Sequence, residues 1–251
     1  MVEKITVHIT PFGLDRQVQL YLPEGWQTAG ERYPVLYMYD GHNLFFDSDA
    51  TYGKCWGLKE FLDGWGRKII VVGVECNQEG DNRLGEYSPF AKAQWPSVYY
   101  DGRGDIYMKW LVEELKPFID AHYPTLPGRE DTAIAGSSLG GLMSVWSLLK
   151  YNEVFSRAAG LSNSFPCCWE PMKPMVENAR ILPGTRLFMS WGSRENAPEV
   201  VEMMGACTLE TNRILTEKGA KVYPYMQVEG RHCEADWEKQ LPVFMDWLFE
   251  G

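Results

Sequence analysis

The sequence predicts an α/β fold: a mostly parallel central sheet with an antiparallel N-terminal edge and helices on both faces. Two observations carry this. Short apolar runs rich in β-branched and aromatic residues alternate along the chain with helical patterns, an order that joins parallel strands through crossover helices. The start differs. Ile5–Ile9 and Gln17–Leu22 read as two alternating strands around Pro11, Phe12 and Gly13, so an antiparallel hairpin opens the sheet.

The remaining elements follow in chain order. After Pro34, Val35–Tyr39 (VLYMY) is a short apolar strand that ends at Asp40 and Gly41, as a buried strand runs into a functional loop. Lys68–Val74 (KIIVVGV) is the next strand. The stretch 77–105 holds Gly80, Gly85, Pro89, Pro96, Gly102 and Gly104; it is too long for an ordinary connection and reads as a lid or binding loop. Asp105–His122 places Leu111, Leu115, Phe118 and Ile119 on one face of an amphipathic helix, with Pro124 just beyond its end. Thr132–Ala135 is a strand, Gly136–Gly141 a tight connection, and Leu142–Lys150 a helix. Strands follow at Ala158–Leu161, Arg186–Trp191 and Lys221–Val228, with a helix over Val200–Lys218. Trp237, Leu241, Phe244 and Leu248, spaced by four, three and four, form a final helix that Pro242 kinks or restarts. With no internal repeat, low-complexity tract or linker, residues 1–251 are expected to form one domain.

Composition narrows the function. Of 251 residues 45% are hydrophobic, enough for an ample core, which excludes a disordered chain. Lys plus Arg total 24 against 34 Asp plus Glu, a formal charge of -10, so phosphate backbones and anionic lipid are poor partners and a small molecule is the expected one. Oligomeric state stays open. The opening MVEKITVHIT has no basic region followed by an apolar segment, so no signal peptide or membrane span is expected, and a cytoplasmic location is. The six cysteines (Cys55, Cys76, Cys167, Cys168, Cys207, Cys233) lack CxxC spacing; neither a zinc site nor a disulfide scaffold is implied, and reduced thiols fit best. No metal and no cofactor is called for.

The chemistry centres on Gly136-Ser137-Ser138-Leu139-Gly140, a GxSxG run between a predicted strand and a predicted helix. Small residues there allow a sharp bend that lifts Ser138 above the sheet edge, where a base must reach it for the hydroxyl to act as a nucleophile. Of four histidines, His8 on the hairpin and His122 at a helix end have solvated or dipole-related roles. His232 follows the last strand and emerges at the same edge as Ser138, which makes it the candidate base. The acid then lies after the strand at Arg186–Trp191, where Glu195 is the first choice and Glu199 and Glu202 the alternatives. Donors for a tetrahedral oxyanion are the backbone N–H of Leu139 and one from Gly41 or His42; the His42 ring could instead contact substrate.

Taken together, the GSSLGG run, the YDGHNLF segment, EYSP at Glu86–Pro89, VEELKPFID and the GSRE and GRH loops resemble an esterase family of the α/β-hydrolases. That family includes enterochelin-type, feruloyl and acetyl-xylan esterase domains, with esterase D more distant. The resemblance spans roughly Tyr33 to the C-terminus and implies the α/β-hydrolase fold, Ser138 as nucleophile, the acid at Glu195 and His232 as base. The family often has Asp at the Glu195 position. The extra N-terminal domain of enterochelin esterases has no counterpart here, which weakens a siderophore reading.

The expected activity is hydrolysis of a carboxylic ester through an acyl-serine, on carbohydrate-linked, aromatic or short-chain esters. Acyl transfer from the same intermediate, hydrolysis of a siderophore ester and a carbohydrate-binding module are the alternatives, the last motivated by ten tryptophans, among them Trp56, Trp65, Trp95 and Trp169. An aromatic pocket is expected from these with Tyr87, Phe90, Tyr99, Tyr100 and Phe165. Trp169, Phe165, Tyr87 and Arg83 are the leading substrate-binding candidates.

Overall fold

The alternation of apolar residues along the strands resolves into two cores, one on each side of a single sheet. In β3, Val35, Tyr37 and Tyr39 face one layer and Leu36 and Met38 the other, and β4 divides Ile70, Val72 and Val74 from Val71 in the same way. Strands buried on both faces are apolar throughout, as parallel strands between helical layers must be.

A computed structural model describes residues 1–90, 93–95 and 98–250. In chain order the elements are β1 (Val2–Ile9), β2 (Leu14–Tyr21), β3 (Val35–Tyr39), α1 (Leu58–Gly64), β4 (Ile70–Val74), α2 (Asn82–Glu86), β5 (Ala93–Trp95), β6 (Val98–Tyr100), α3 (Gly104–Trp110) and α4 (Lys116–His122). They continue with β7 (Thr132–Ser137), α5 (Leu139–Lys150), β8 (Arg157–Leu161), α6 (Phe165–Asn178), β9 (Arg186–Gly192), α7 (Pro198–Glu217), β10 (Lys221–Gln227), α8 (Glu234–Glu238) and α9 (Leu241–Phe249). The eight-stranded sheet has the order β1-β2-β4-β3-β7-β8-β9-β10. Strand β2 pairs antiparallel with both neighbours, and the pairs from β4 to β10 are parallel. Helices α3 to α7 pack on one face, and α1, α8 and α9 on the other.

The expected fold class is the one found; α1 and α6 stand where no helix is expected, and two expected stretches differ in detail. The helix at 105–122 is interrupted by a π-helical turn at Leu111–Leu115 ahead of Pro117. Proline lacks an N–H and its ring clashes with the carbonyl four residues back, and a wider turn relieves both. The extra residue in that turn shifts the helical phase, so Leu111, Leu115 and Ile119 are buried while Phe118 is exposed and stacks on His122 at 4.2 Å. Second, 77–105 is not structureless: it contains α2 and the antiparallel pair β5–β6. Of the two effects expected of Pro242, the structure shows the restart, which separates α8 from α9.

The order of strands positions the site. From β3 the chain moves outward to β4 and then crosses to β7 on the other side of β3, so the crossovers diverge between β3 and β7. In an open α/β sheet, a crevice forms at the carboxyl ends of the strands at that point. Ligands bind there.

Candidate active site

Strand β7 passes into α5 through Ser138 alone, at φ 58 and ψ -123. A non-glycine residue is strained in this region and is held only when its surroundings over-determine it. The surroundings do so through close packing: a Cβ on Gly136 would sit 2.8 Å from the Gly140 backbone, and one on Gly140 2.9 Å from Cβ of Tyr39. The Ser138 N–H donates to the Leu161 carbonyl at 2.9 Å, fixing the turn to β8. Ser138 is left half-buried at the rim.

Among the described residues three further non-glycine positions have positive φ, namely Asp40, Ser162 and Glu229. Each follows the carboxyl end of a strand, β3, β8 and β10 respectively, on the same side of the sheet as Ser138.

Glu195 lies in the loop after β9, its side chain only 1% exposed. Its Oε1 accepts from Ser162 Oγ at 2.6 Å and from the Gly192 N–H, and its Oε2 accepts from His232 Nδ1 at 3.0 Å. The Ser162 hydroxyl in turn accepts from Trp237 Nε1 at 2.7 Å, and the Trp237 ring meets the His232 ring edge-on at 5.1 Å. A buried carboxylate with this many partners holds the imidazole in the tautomer that protonates Nδ1 and leaves Nε2 with its lone pair. Glu199 and Glu202 lie in the first turns of α7, and both are exposed.

Ser138 and His232 line one cavity of about 480 Å³ at the carboxyl edge. Its wall after β3 is Asp40, His42, Asn43, Thr51 and Tyr52; its wall after β4 is Cys76, Asn77, Gln78, Gly80 and Arg83; Glu234 and Trp237 close the third side. Residues Gly41–Asn43 form a single 3-10 turn. The first N–H groups of such a turn, like that of Leu139 at the start of α5, have no partner within their own helix.

The charged groups of the cavity are paired in a specific way. Arg83 grips Asp40 with two hydrogen bonds, Nε to Oδ1 at 2.8 Å and an Nη to Oδ2 at 2.7 Å. Burial alone would discharge Asp40, but the Arg83 charge and hydrogen bonds overturn this and hold it below the usual carboxylate range. Burial also holds His42 below the ordinary imidazole value, against the pull of Asp40. Glu234 is raised, first by burial and then by the Asp40 charge. Behind the cavity, Arg16 pairs with Glu86 at 2.8 and 2.9 Å, and Glu86 accepts the Asn77 N–H at 2.7 Å, which anchors that wall.

The structure therefore brings Ser138, His232, Glu195, Leu139, Gly41 and His42 to one edge, and separates the expected substrate contacts. Phe165 and Tyr87 are fully buried: Phe165 packs in the core at the start of α6, and the Tyr87 hydroxyl accepts the Asp40 N–H at 3.1 Å from beneath the cavity. Trp169 lines a separate groove between α6 and α7 with Lys173 and Met203. Arg83 does face the cavity, but with its guanidinium bound to Asp40. Trp56 is core, its ring tilted against that of Trp237, and Trp65 bonds to Asp246 on the far face. Phe90 packs half-buried against the core, and the side chains of Trp95, Tyr99 and Tyr100 lie outside the described residues. The cavity thus takes its rings from Tyr52 and Trp237, set among polar side chains, and not from the aromatic residues expected. Sequence reasoning missed Asp40, Ser162, Asn77 and Glu234; only Asp40 at a strand end and Glu234 two residues after His232 carried a local signal.

Strand order, a strained serine between β7 and α5, and a buried carboxylate behind a histidine at the carboxyl edge define an α/β-hydrolase. The profile of the family described as "Putative esterase" matches residues 10–248, and the chain belongs to that family. It is similar to YbbA of Bacillus subtilis (strain 168), described as uncharacterized: 27% identical over 243 residues, 94% of this chain and 93% of that one. It is also 26% identical over 224 residues to an endo-1,4-beta-xylanase/feruloyl esterase of Xylanibacter ruminicola, covering 86% of this chain and 28% of that protein. The fold matches that of the enterobactin esterase FES from Shigella flexneri with a TM-score of 0.76 at 17% identity, over 100% of this chain and 59% of that one.

Proposed function

We propose that this esterase-family protein hydrolyses carboxylic esters through an acyl-enzyme on Ser138. The observation that carries the reading is the chain of bonds from buried Glu195 to His232 Nδ1, on the wall of the cavity that Ser138 also lines. In this mechanism His232 Nε2 takes the Ser138 proton as Oγ attacks the ester carbonyl, and Glu195 stabilises the imidazolium that forms. The oxyanion is met by the Leu139 N–H and one from Gly41 or His42, each donor worth about a hundred- to thousandfold in rate. His232 returns its proton to the leaving alcohol, and water activated by the same ring then releases the acid.

The lining supports a polar alcohol portion. Asn43, Thr51, Asn77 and Gln78 offer amide and hydroxyl partners beside the Tyr52 and Trp237 rings, a combination suited to a hydroxylated, sugar-like group joined to a short acyl chain. Short-chain aryl acetates serve as generic substrates. Ser138→Ala is expected to abolish turnover of nitrophenyl acetate and of acetylated sugars; retention of the wild-type rate by this variant would reject the mechanism. Product analysis with added glycerol or sugar separates hydrolysis from acyl transfer.

A further inference from the structure

We propose that Asp40, His42 and Cys76 form a binding site for one thiophilic divalent cation of the zinc class, and that its occupancy blocks the cavity that Ser138 lines. Asp40 and Cys76 follow the paired ends of β3 and β4, where Tyr39 is aligned with Val74, and the turn after Asp40 brings His42 beside them. A carboxylate oxygen, an imidazole nitrogen and the thiol sulfur all lie within 4.8 Å of one another, on residues at most 6% exposed. One nitrogen, one sulfur and one oxygen donor are the ligand types that zinc accepts, and three protein ligands leave a fourth position open.

The His42 ring supplies the second observation. Its Nε2 pairs with Thr51 Oγ1 at 3.0 Å, while Nδ1 is buried with no partner among the described residues. A buried ring nitrogen without a partner is costly, and a bound cation would satisfy it. When Nε2–H donates to Thr51 Oγ1, the Nδ1 lone pair is free for a cation, and such an outer-shell contact is the kind that metal-binding histidines use. Arg83 engages each oxygen of Asp40 once, and each keeps a second lone pair. The Cys76 thiol holds its proton, since burial and the Asp40 charge both oppose the thiolate. On binding, the S–H bond breaks, a sulfur–metal bond forms and the proton leaves to solvent through the cavity. Carboxylate, thiolate and dication then sum to zero, and Arg83, still bonded to Asp40, is the one remaining positive charge of the group.

The test uses the full chain, freed of metal by a chelator and titrated with Co2+ and then Zn2+. Expected are a thiolate-to-cobalt charge-transfer absorption that saturates at one equivalent, its displacement by Zn2+, and loss of ester turnover with the same midpoint, reversed by chelator. Cys76→Ser should abolish the absorption, His42→Gln should weaken binding by about tenfold or more, and Cys233→Ser should leave the absorption intact. Absence of the band, its survival in Cys76→Ser, or its loss in Cys233→Ser would overturn the site. Unchanged turnover at a saturated site would overturn the block. The absorption does not depend on Ser138 being the nucleophile, so the two readings fail separately.

Discussion

Replacing Glu195 by Gln separates a catalytic hydrogen bond from the mere filling of space. The amide has the shape of the carboxylate but one acceptor end and one donor end. At the Oε1 position the Gly192 N–H can only donate, and Ser162 Oγ donates as well, with one of its two lone pairs taken by Trp237 Nε1. The amide oxygen must therefore face Gly192, which turns the NH2 toward His232 Nδ1. An NH2 there forces Nδ1 to accept, moves the ring proton to Nε2 and removes the lone pair that would receive the Ser138 proton. The equivalent change in a serine-protease triad costs about 10⁴ in kcat, which corresponds to about 5.4 kcal/mol on the barrier. The expected outcome for Glu195→Gln is a loss of that order in kcat for nitrophenyl acetate, with little change in KM and an unaltered circular dichroism spectrum. Glu195→Asp withdraws the carboxylate by about 1.5 Å, one C–C bond length. The 3.0 Å contact to His232 then opens without reversing its polarity, and the loss should be smaller than in Glu195→Gln. If Glu195→Gln stays within tenfold of wild type, or Glu195→Asp is the worse of the two, the assignment of the acid is wrong.

Three more outcomes follow from other contacts. Arg16→Met strands the Glu86 carboxylate, 4% exposed, without its partner; the expected loss is about 3–5 kcal/mol and about 6–20 °C in Tm, read by thermal unfolding. Gly136→Ala drives a Cβ against the Gly140 backbone at 2.8 Å, so a stability loss of about 1–3 kcal/mol should accompany a fall in kcat as the Ser138 turn shifts, and an unchanged kcat would refute that coupling. Asp236 is held far below the usual carboxylate range because hydrogen bonds from Lys239 and Arg231 outweigh the opposing effect of burial. A depressed value means that its contribution is present above the unfolded carboxylate value and fades as pH falls toward the folded one. Asp236→Asn should therefore be less stable than wild type at pH 7 by about 1.5–3 kcal/mol, with the gap closing below about pH 4. A gap that stays constant down to pH 2 would refute it.

The inner strands were legible because they are buried on both sides: Val35–Tyr39 needs no partner to declare itself once Pro34 and Asp40 bound it. The GxSxG turn was legible for a related reason, since Gly136 and Gly140 are small where backbone and Tyr39 approach, and that requirement is local. Helix α6 was not legible, because Pro166, Pro171 and Pro174 break its pattern and the chain departs from helical geometry at Cys168. Phe118 was placed on the wrong face because a π turn shifts the phase without changing composition. The aromatic pocket failed on a different count. Tyr87 and Phe165 lie among loop-like residues, but their rings are core, and only the fold shows that Tyr87 supports Asp40 from below while the cavity wall is built of amides and hydroxyls.

Histidine and carboxylate positions could be narrowed by strand order, whereas the residues that orient them could not. Ser162 and Trp237 are 75 residues apart and bond to each other and to the Glu195–His232 pair. Neither type nor spacing marks them. What unites the site is backbone strain: Asp40, Ser138, Ser162 and Glu229 all take positive φ just past strand ends. Such residues cost on the order of 1–3 kcal/mol each and persist only where neighbours leave no alternative. Here the neighbours are a sheet buried on both faces and strands in fixed register, so the energy stored at the rim depends on packing far from it. Any change that loosens β3, β7 or β8 should therefore reduce activity before it unfolds the protein, because the strained turns have the least to lose by relaxing.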